Sequence, residues 1–232
     1  MRVSTGCRGM DSLLSGGLPS GRLYVVSGPP GSGKTTFASQ FVTEGVKRDD
    51  HCVYVTMHET KQELVSDMST FDFGFERAAA SERFKFLNLT AESARRSLTK
   101  YGTEGGLTNR VAAMLEEMSI DRAVIDSTML LKHFVDDPES ALTEFVTRLK
   151  QTDATIVLIS EMTDPSAYSD EHFLAHGVLF FHNFLEAGGM TRAVQIIKMR
   201  GTPIDCDMRS MAFTDAGLEV HVDQKVREAQ VR

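Results

Sequence analysis

Gly28-Pro29-Pro30-Gly31-Ser32-Gly33-Lys34-Thr35 decides the reading of this chain. The stretch fits G-x-x-x-x-G-K-[ST], the glycine-rich loop that cradles phosphates. Before it, Leu23-Tyr24-Val25-Val26-Ser27 is apolar and rich in β-branched residues, bounded by Gly21 and Gly28, which predicts a buried strand. After it, Phe37, Ala38, Phe41 and Val42 recur at helical spacing. Strand, glycine loop and helix in that order aim backbone N–H groups and a helix N-terminus at an anion. On this pattern Gly28, Pro30, Gly31, Ser32, Gly33, Lys34, Thr35 and Thr36 bind ATP. Lys34 reaches the β- and γ-phosphates, and the Thr35 hydroxyl ligates Mg²⁺.

Composition sets the outer limits. The chain has 232 residues, enough for one domain with a sizeable core, here taken as 1–232. Hydrophobic residues make up 41% and charged residues 25%, as in soluble globular proteins. The net charge of −7 repels phosphate backbones and argues against nucleic acid as a bulk partner. No apolar run has the length of a membrane span, and Met1–Gly6 has no signal-peptide core, so a cytoplasmic location is expected. Cys7, Cys52 and Cys206 are odd in number and far apart, which predicts buried reduced thiols; the seven His show no zinc-ligand spacing.

Working outward, residues 6–22 predict a short helix around Asp11–Leu14 closed by Gly16-Gly17, covering a sheet edge or a neighbouring subunit. His51–Thr56 reads as a second strand, Leu64, Val65 and Met68 as one helix face, and Arg83–Leu89 as a third strand. Ser93–Gly106, with Arg95, Arg96 and Lys100, is the most loop-like stretch and is read as a solvated basic linker. Leu107, Val111, Met114, Leu115 and Met118 form an amphipathic helix, followed by the strand Arg122–Asp126. Asp137-Pro138 opens a helix whose buried face is Ala141, Leu142, Phe145, Val146 and Leu149. A buried strand at Thr155–Glu161 leads to a long connection, Met162–Gly177, containing Pro165. Four further runs, Val178–Phe181, Thr191–Met199, Arg209–Thr214 and Leu218–Val220, look like a meander turning at Gly188-Gly189 and Ala216-Gly217. The fold class is therefore α/β: a mainly parallel sheet with helices on both faces around the P-loop, and a C-terminal antiparallel extension.

A phosphate loop needs a second carboxylate to hold Mg²⁺ through water, and Asp126 at the end of its apolar strand is the candidate. Asp121 precedes that strand and should face solvent. Hydrolysis also needs a group that orients or deprotonates water, best placed at the end of the strand beside the P-loop strand. On the reading that the second strand is that neighbour, the residues are Met57-His58-Glu59-Thr60, with Glu59 and His58 as catalytic candidates alongside Lys34.

Gly16–Gly21, the P-loop, Tyr54–Thr60, Val124–Ser127, Lys198-Met199-Arg200-Gly201-Thr202 and Phe213–Leu218 resemble, in that order, the KaiC branch of the RecA/RadA ATPases. The resemblance covers nearly the whole chain, as a single KaiC-type domain like those of archaeal relatives. It implies a RecA-like core and homo-oligomeric, hexameric rings with ATP and Mg²⁺ between subunits. It also implies that Lys198 and Arg200 act in the neighbour's site, with Arg192, Thr214 and Asp215 near nucleotide in the same trans-acting set. Independently, Lys198 and Arg200 alternate with Ile197 and Met199, so both cations share a strand face.

Two departures stand out. The family places paired carboxylates after the second strand, whereas here the first is His58, so hydrolysis is expected to be slow. His172-Phe173 stands where the clock protein's autophosphorylating domain has a Ser-Thr pair, so an equivalent phosphorylation switch is not expected.

The favoured reading is a slowly hydrolysing ATPase acting as a nucleotide-dependent regulatory switch through a protein partner, for instance in motility or clock-like control. A RadA-like DNA-repair factor would need a basic mobile loop, whereas Met162–Gly177 carries Asp164, Asp170 and Glu171. A third reading is an ATP-bound scaffold without turnover. Salt-dependent DNA binding separates the second reading, and single-turnover hydrolysis the third.

Overall fold

A computed structural model describes residues 1–101, 106–128, 137–162, 164, 167–186 and 189–226. The chain opens with β1 (Arg2–Val3), α1 (Met10–Leu13) and β2 (Leu18–Pro19). The P-loop unit follows as β3 (Leu23–Gly28) and α2 (Lys34–Lys47). Next come β4 (Cys52–Thr56), α3 (Lys61–Met68), α4 (Phe75–Ala79), β5 (Phe84–Asn88), α5 (Glu92–Leu98), α6 (Gly106–Glu117) and β6 (Arg122–Asp126). The remainder is α7 (Pro138–Leu149), β7 (Thr155–Glu161), α8 (Asp170–Leu174), β8 (Gly177–Glu186), β9 (Gly189–Met199), β10 (Arg209–Thr214) and β11 (Gly217–Lys225).

Nine strands form one sheet in the order β11-β10-β9-β8-β3-β7-β6-β4-β5. From β8 to β5 neighbouring strands run parallel, and β8 to β11 are antiparallel, as the sequence pattern predicts. Strands buried on both faces need apolar side chains at every position, and β3, β4 and β6 are buried throughout. Alternation then divides them between two cores. Tyr24, Val26, Tyr54 and Val124 join Phe37 and Phe41 of α2 on one face. Leu23, Val25, Val53, Val55, Ala123 and Ile125 join Val111, Met114, Phe145 and Val146 of α6 and α7 on the other. Asp126 has the parity of Val124, so it faces α2 and the P-loop.

The sheet order corrects one expectation: β4 is not the neighbour of the P-loop strand. β3 pairs with β7 and β8, and β7 and β6 separate it from β4. The stretch read as a basic linker is helical over Glu92–Leu98 and a 3₁₀ turn over Thr99–Tyr101. Leu98, fully buried, anchors that short helix in the second core, and Arg96 lies 3.8 Å from Glu92 one turn back. Gly102 and Gly105 lie outside the described residues, as do Pro165, Gly188 and the side chain of Leu107. The connection after β7 contains α8, which is too short for sequence periodicity to reveal.

The lead-in covers the chain's own sheet, with α1 packed on the edge strand β11. Asp137 caps α7 by accepting a hydrogen bond from Ser140 N, and the Asp121 carboxylate is 54% exposed, both as expected. Cys7 and Cys52 are buried free thiols, but Cys206 is exposed in the turn region before β10, contrary to expectation. Met118 falls just beyond α6 and is 36% exposed rather than part of its buried face. No helix among the described residues is long and apolar enough to cross a membrane.

Candidate functional site

The P-loop leaves β3 at Gly28 and closes onto the N-terminus of α2. Gly31 and Gly33 take φ of 75° and 101°, the left-handed region that favours glycine. A Cβ at Gly28 would collide with the Phe181 carbonyl oxygen and the Ser32 hydroxyl, so only glycine fits this approach. No side chain caps α2, so its first-turn N–H groups are open to an anion. Ser32 Oγ is fully buried and lacks a hydrogen-bond partner among the described residues.

Beside the loop lies a cleft of about 460 Å³, lined among others by Lys34, Thr35, Asp126, Glu161, Arg192 and Phe213. Lys34 Nζ donates to the carbonyls of Gly28 at 2.7 Å and Pro29 at 2.9 Å. Burial lowers its pKa, and the carboxylates of Glu161, then Asp126, oppose that fall. Thr35 Oγ1 stands 3.4 Å from Asp126 Oδ2, so a hydroxyl and a carboxylate oxygen meet at the mouth of the loop. That oxygen pair suits a hard cation such as Mg²⁺. Tyr54 OH donates to the same Asp126 oxygen at 2.7 Å. Burial raises the Asp126 pKa from its ordinary value, opposed first by that Tyr54 bond.

His58 and Glu59 follow β4, across β6 from the cleft, and neither is among the residues lining it. His58 Nε2 lies 3.3 Å from Ser127 Oγ. The Glu59 carboxyl, half-buried and facing Asp126, is pushed up to about 7, chiefly by burial.

A family model described as "ATPase: KaiC" matches residues 3–225. The chain belongs to this KaiC ATPase family. It is 32% identical to the circadian clock oscillator protein KaiC of Parathermosynechococcus lividus over 213 residues, 87% of this chain and 39% of that protein. It is 29% identical to the circadian clock protein KaiC3 of Synechocystis over 209 residues, again 87% of this chain and 41% of the relative. The chain thus spans about two fifths of the curated relatives it matches. A crystal structure of a KaiC-like protein from the hyperthermophilic archaeon Pyrococcus horikoshii superposes with a TM-score of 0.79 at 26% identity, covering 95% of this chain and 99% of that one.

The residues that the KaiC resemblance adds divide into two groups. Arg192 reaches its own chain's loop, with Nε donating to Gly31 O at 2.9 Å and the guanidinium 4.8 Å from the Phe213 ring centroid. Thr214 and Asp215 form the β10–β11 turn, where the Asp215 carbonyl accepts from Asp72 N. Lys198 and Arg200 lie elsewhere. The register of Gly177 with Tyr24 and with Met199 sets them against the N-terminal half of β3, away from its loop end. Both donate to carbonyls of α8: Lys198 Nζ to His172 O at 3.0 Å and Phe173 O at 2.8 Å, Arg200 Nη2 to Phe173 O at 3.2 Å. His172 itself is buried, with Nε2 2.7 Å from Ser27 Oγ.

Sequence reading missed Tyr54 as a partner of Asp126, and Glu161. Glu161 carried a signal, since like Asp126 it is a carboxylate closing an apolar strand, whereas the Tyr54–Asp126 contact depends on the pairing of β4 with β6, which sequence does not state.

Proposed function

We propose that the chain binds ATP with Mg²⁺ in the P-loop cleft, hydrolyses it slowly, and acts as a nucleotide-dependent oligomeric switch. The observation that carries this reading is the meeting of Lys34, Thr35 and Asp126 in one cleft, with Lys198 and Arg200 facing away from it. A cation pair that lies outside its own cleft, bonded among the described residues only to α8 carbonyls, would serve the site of a second copy, so each subunit would complete its neighbour's cleft in a ring. Thr35 and Asp126 would hold Mg²⁺, which when bound offsets charge on the phosphate oxygens. Loop N–H groups and Lys34 bind the triphosphate, and Arg192 over Phe213 walls the cleft. Glu59 takes the proton of the attacking water on this reading. Its high pKa leaves it only part ionised near neutrality, and with His58 in place of a second carboxylate turnover is slow.

Mixing subunits tests the arrangement. Lys34→Ala subunits bind ATP weakly and Arg200→Ala subunits lack the trans cation, so each alone turns over poorly. Arginine fingers contribute about 10³–10⁵ in rate, so mixed rings, which join some intact loops to intact cations, should recover activity. A wild-type protein that stays monomeric with Mg-ATP yet hydrolyses at its normal rate would rule the ring out. The oligomer would report nucleotide state to a regulatory protein, and a pull-down with and without ATP identifies that partner.

A further inference from the structure

The rule that water is activated at the end of the strand beside the P-loop strand leads to β7, not β4. β7 pairs with β3 along its whole length, and the register sets Glu161 directly opposite Gly28. The backbone is fixed on both sides of that residue. Ser160 Oγ donates to Glu171 Oε1 at 2.7 Å in the buried layer, and Met162 N donates to Gly28 O at 3.4 Å. Between these two anchors the Glu161 side chain is exposed and lines the cleft with Lys34, Thr35 and Asp126.

We infer that Glu161 is a further catalytic residue: its carboxylate accepts a hydrogen bond from the attacking water and aligns it with the γ-phosphorus. This rests on the proposed ATPase reading. In the step so aligned, the water oxygen forms a bond to the γ-phosphorus, and the bond from that phosphorus to the β–γ bridging oxygen breaks. ADP leaves with the electron pair, and the proton of the water passes by way of solvent to Glu59, which lies outside the cleft lining. Glu161 acts by acceptance and direction, so a neutral acceptor of the same length can replace it, whereas a methyl cannot.

Single-turnover hydrolysis and ATP titration of Glu161→Ala and Glu161→Gln test this. Misalignment of a reacting group is worth about 10²-fold. Glu161→Ala should therefore lose roughly a hundredfold in rate while binding ATP at least as tightly as wild type. Glu161→Gln should recover most of that loss, because its amide oxygen still accepts. Wild-type rates in Glu161→Ala, or a Glu161→Gln as slow as the alanine variant, would overturn the assignment. Failure of the ATPase reading gives a different pattern: hydrolysis that survives Lys34→Ala, or no turnover by the wild-type protein, removes both proposals together.

Discussion

Replacing Tyr54 by Phe isolates one hydrogen bond to Asp126, the buried carboxylate proposed to hold Mg²⁺. The Tyr54 hydroxyl is 2.7 Å from Asp126 Oδ2, Tyr54 is fully buried, and Asp126 is 7% exposed. The ring keeps its packing in the variant, including the stacked Phe86 at 6.0 Å, so little but the hydroxyl is lost. A hydrogen bond to a charged group contributes about 1.5–3 kcal/mol, and that is the expected loss of stability at pH 7.5. Its pH dependence has a definite sign. Burial already raises the Asp126 pKa, and removing the donor that opposes the rise moves it further up. A carboxyl with a raised folded-state pKa favours the protonated native protein, so the penalty is full above that pKa and fades as pH falls through it. Urea unfolding of both proteins at a series of pH values from 7.5 downward reads the difference, and ionisable groups remote from Asp126 cancel. A deficit under about 0.5 kcal/mol at pH 7.5, below the range for even a neutral hydrogen bond, refutes the account. A deficit that stays constant down to the lowest pH at which the wild type folds refutes the titration argument.

Two further outcomes follow from the same geometry. With the Glu59 carboxyl near 7, turnover should rise with pH through that value and level off above it, and Glu59→Gln should flatten the profile; a flat wild-type profile excludes Glu59 as proton acceptor. Gly45→Ala should destabilise the fold by about 1–3 kcal/mol in chemical denaturation, because a Cβ there would lie 2.6 Å from both Arg122 Cδ and Cys52 Sγ; unchanged stability would mean that the packing yields.

Local pattern carried the elements, and it carried them best where chemistry and periodicity agreed. Apolar β3, glycines and an amphipathic α2 state the P-loop unit in consecutive residues, and Asp126 stands out as a carboxylate ending a buried strand. Strand adjacency is a different kind of information. Nothing in Cys52–Thr56 says that β6 and β7 intervene between it and β3, because parallel strands are paired by crossovers rather than by a hairpin turn. Glu161 was hidden by that missing adjacency, not by its own surroundings. Arg122 shows another limit. It puts a charge at the start of an apolar strand, yet it is 1% exposed, held by Asp50 Oδ2 at 2.7 Å, the Ser4 carbonyl at 2.6 Å and the ring of Phe41. Its partners are scattered along the chain, so no window of sequence contains the pairing. The short helices α5 and α8 have too few turns for a period to show.

The order of strands has a consequence for synthesis on the ribosome. β4 pairs with both β5 and β6, and the three are close in sequence, so they can pair while the rest of the chain is still being made. The P-loop strand emerges before them but has no partner until β7 and β8 appear much later. Such non-local parallel pairing is intrinsically slow, and a strand buried throughout the native sheet waits exposed in the meantime. The nucleotide cleft, which needs β3, β6 and β7 together, is therefore among the last features to form. On the proposed function, ATP would stabilise the finished protein by mass action and offer nothing to the nascent chain.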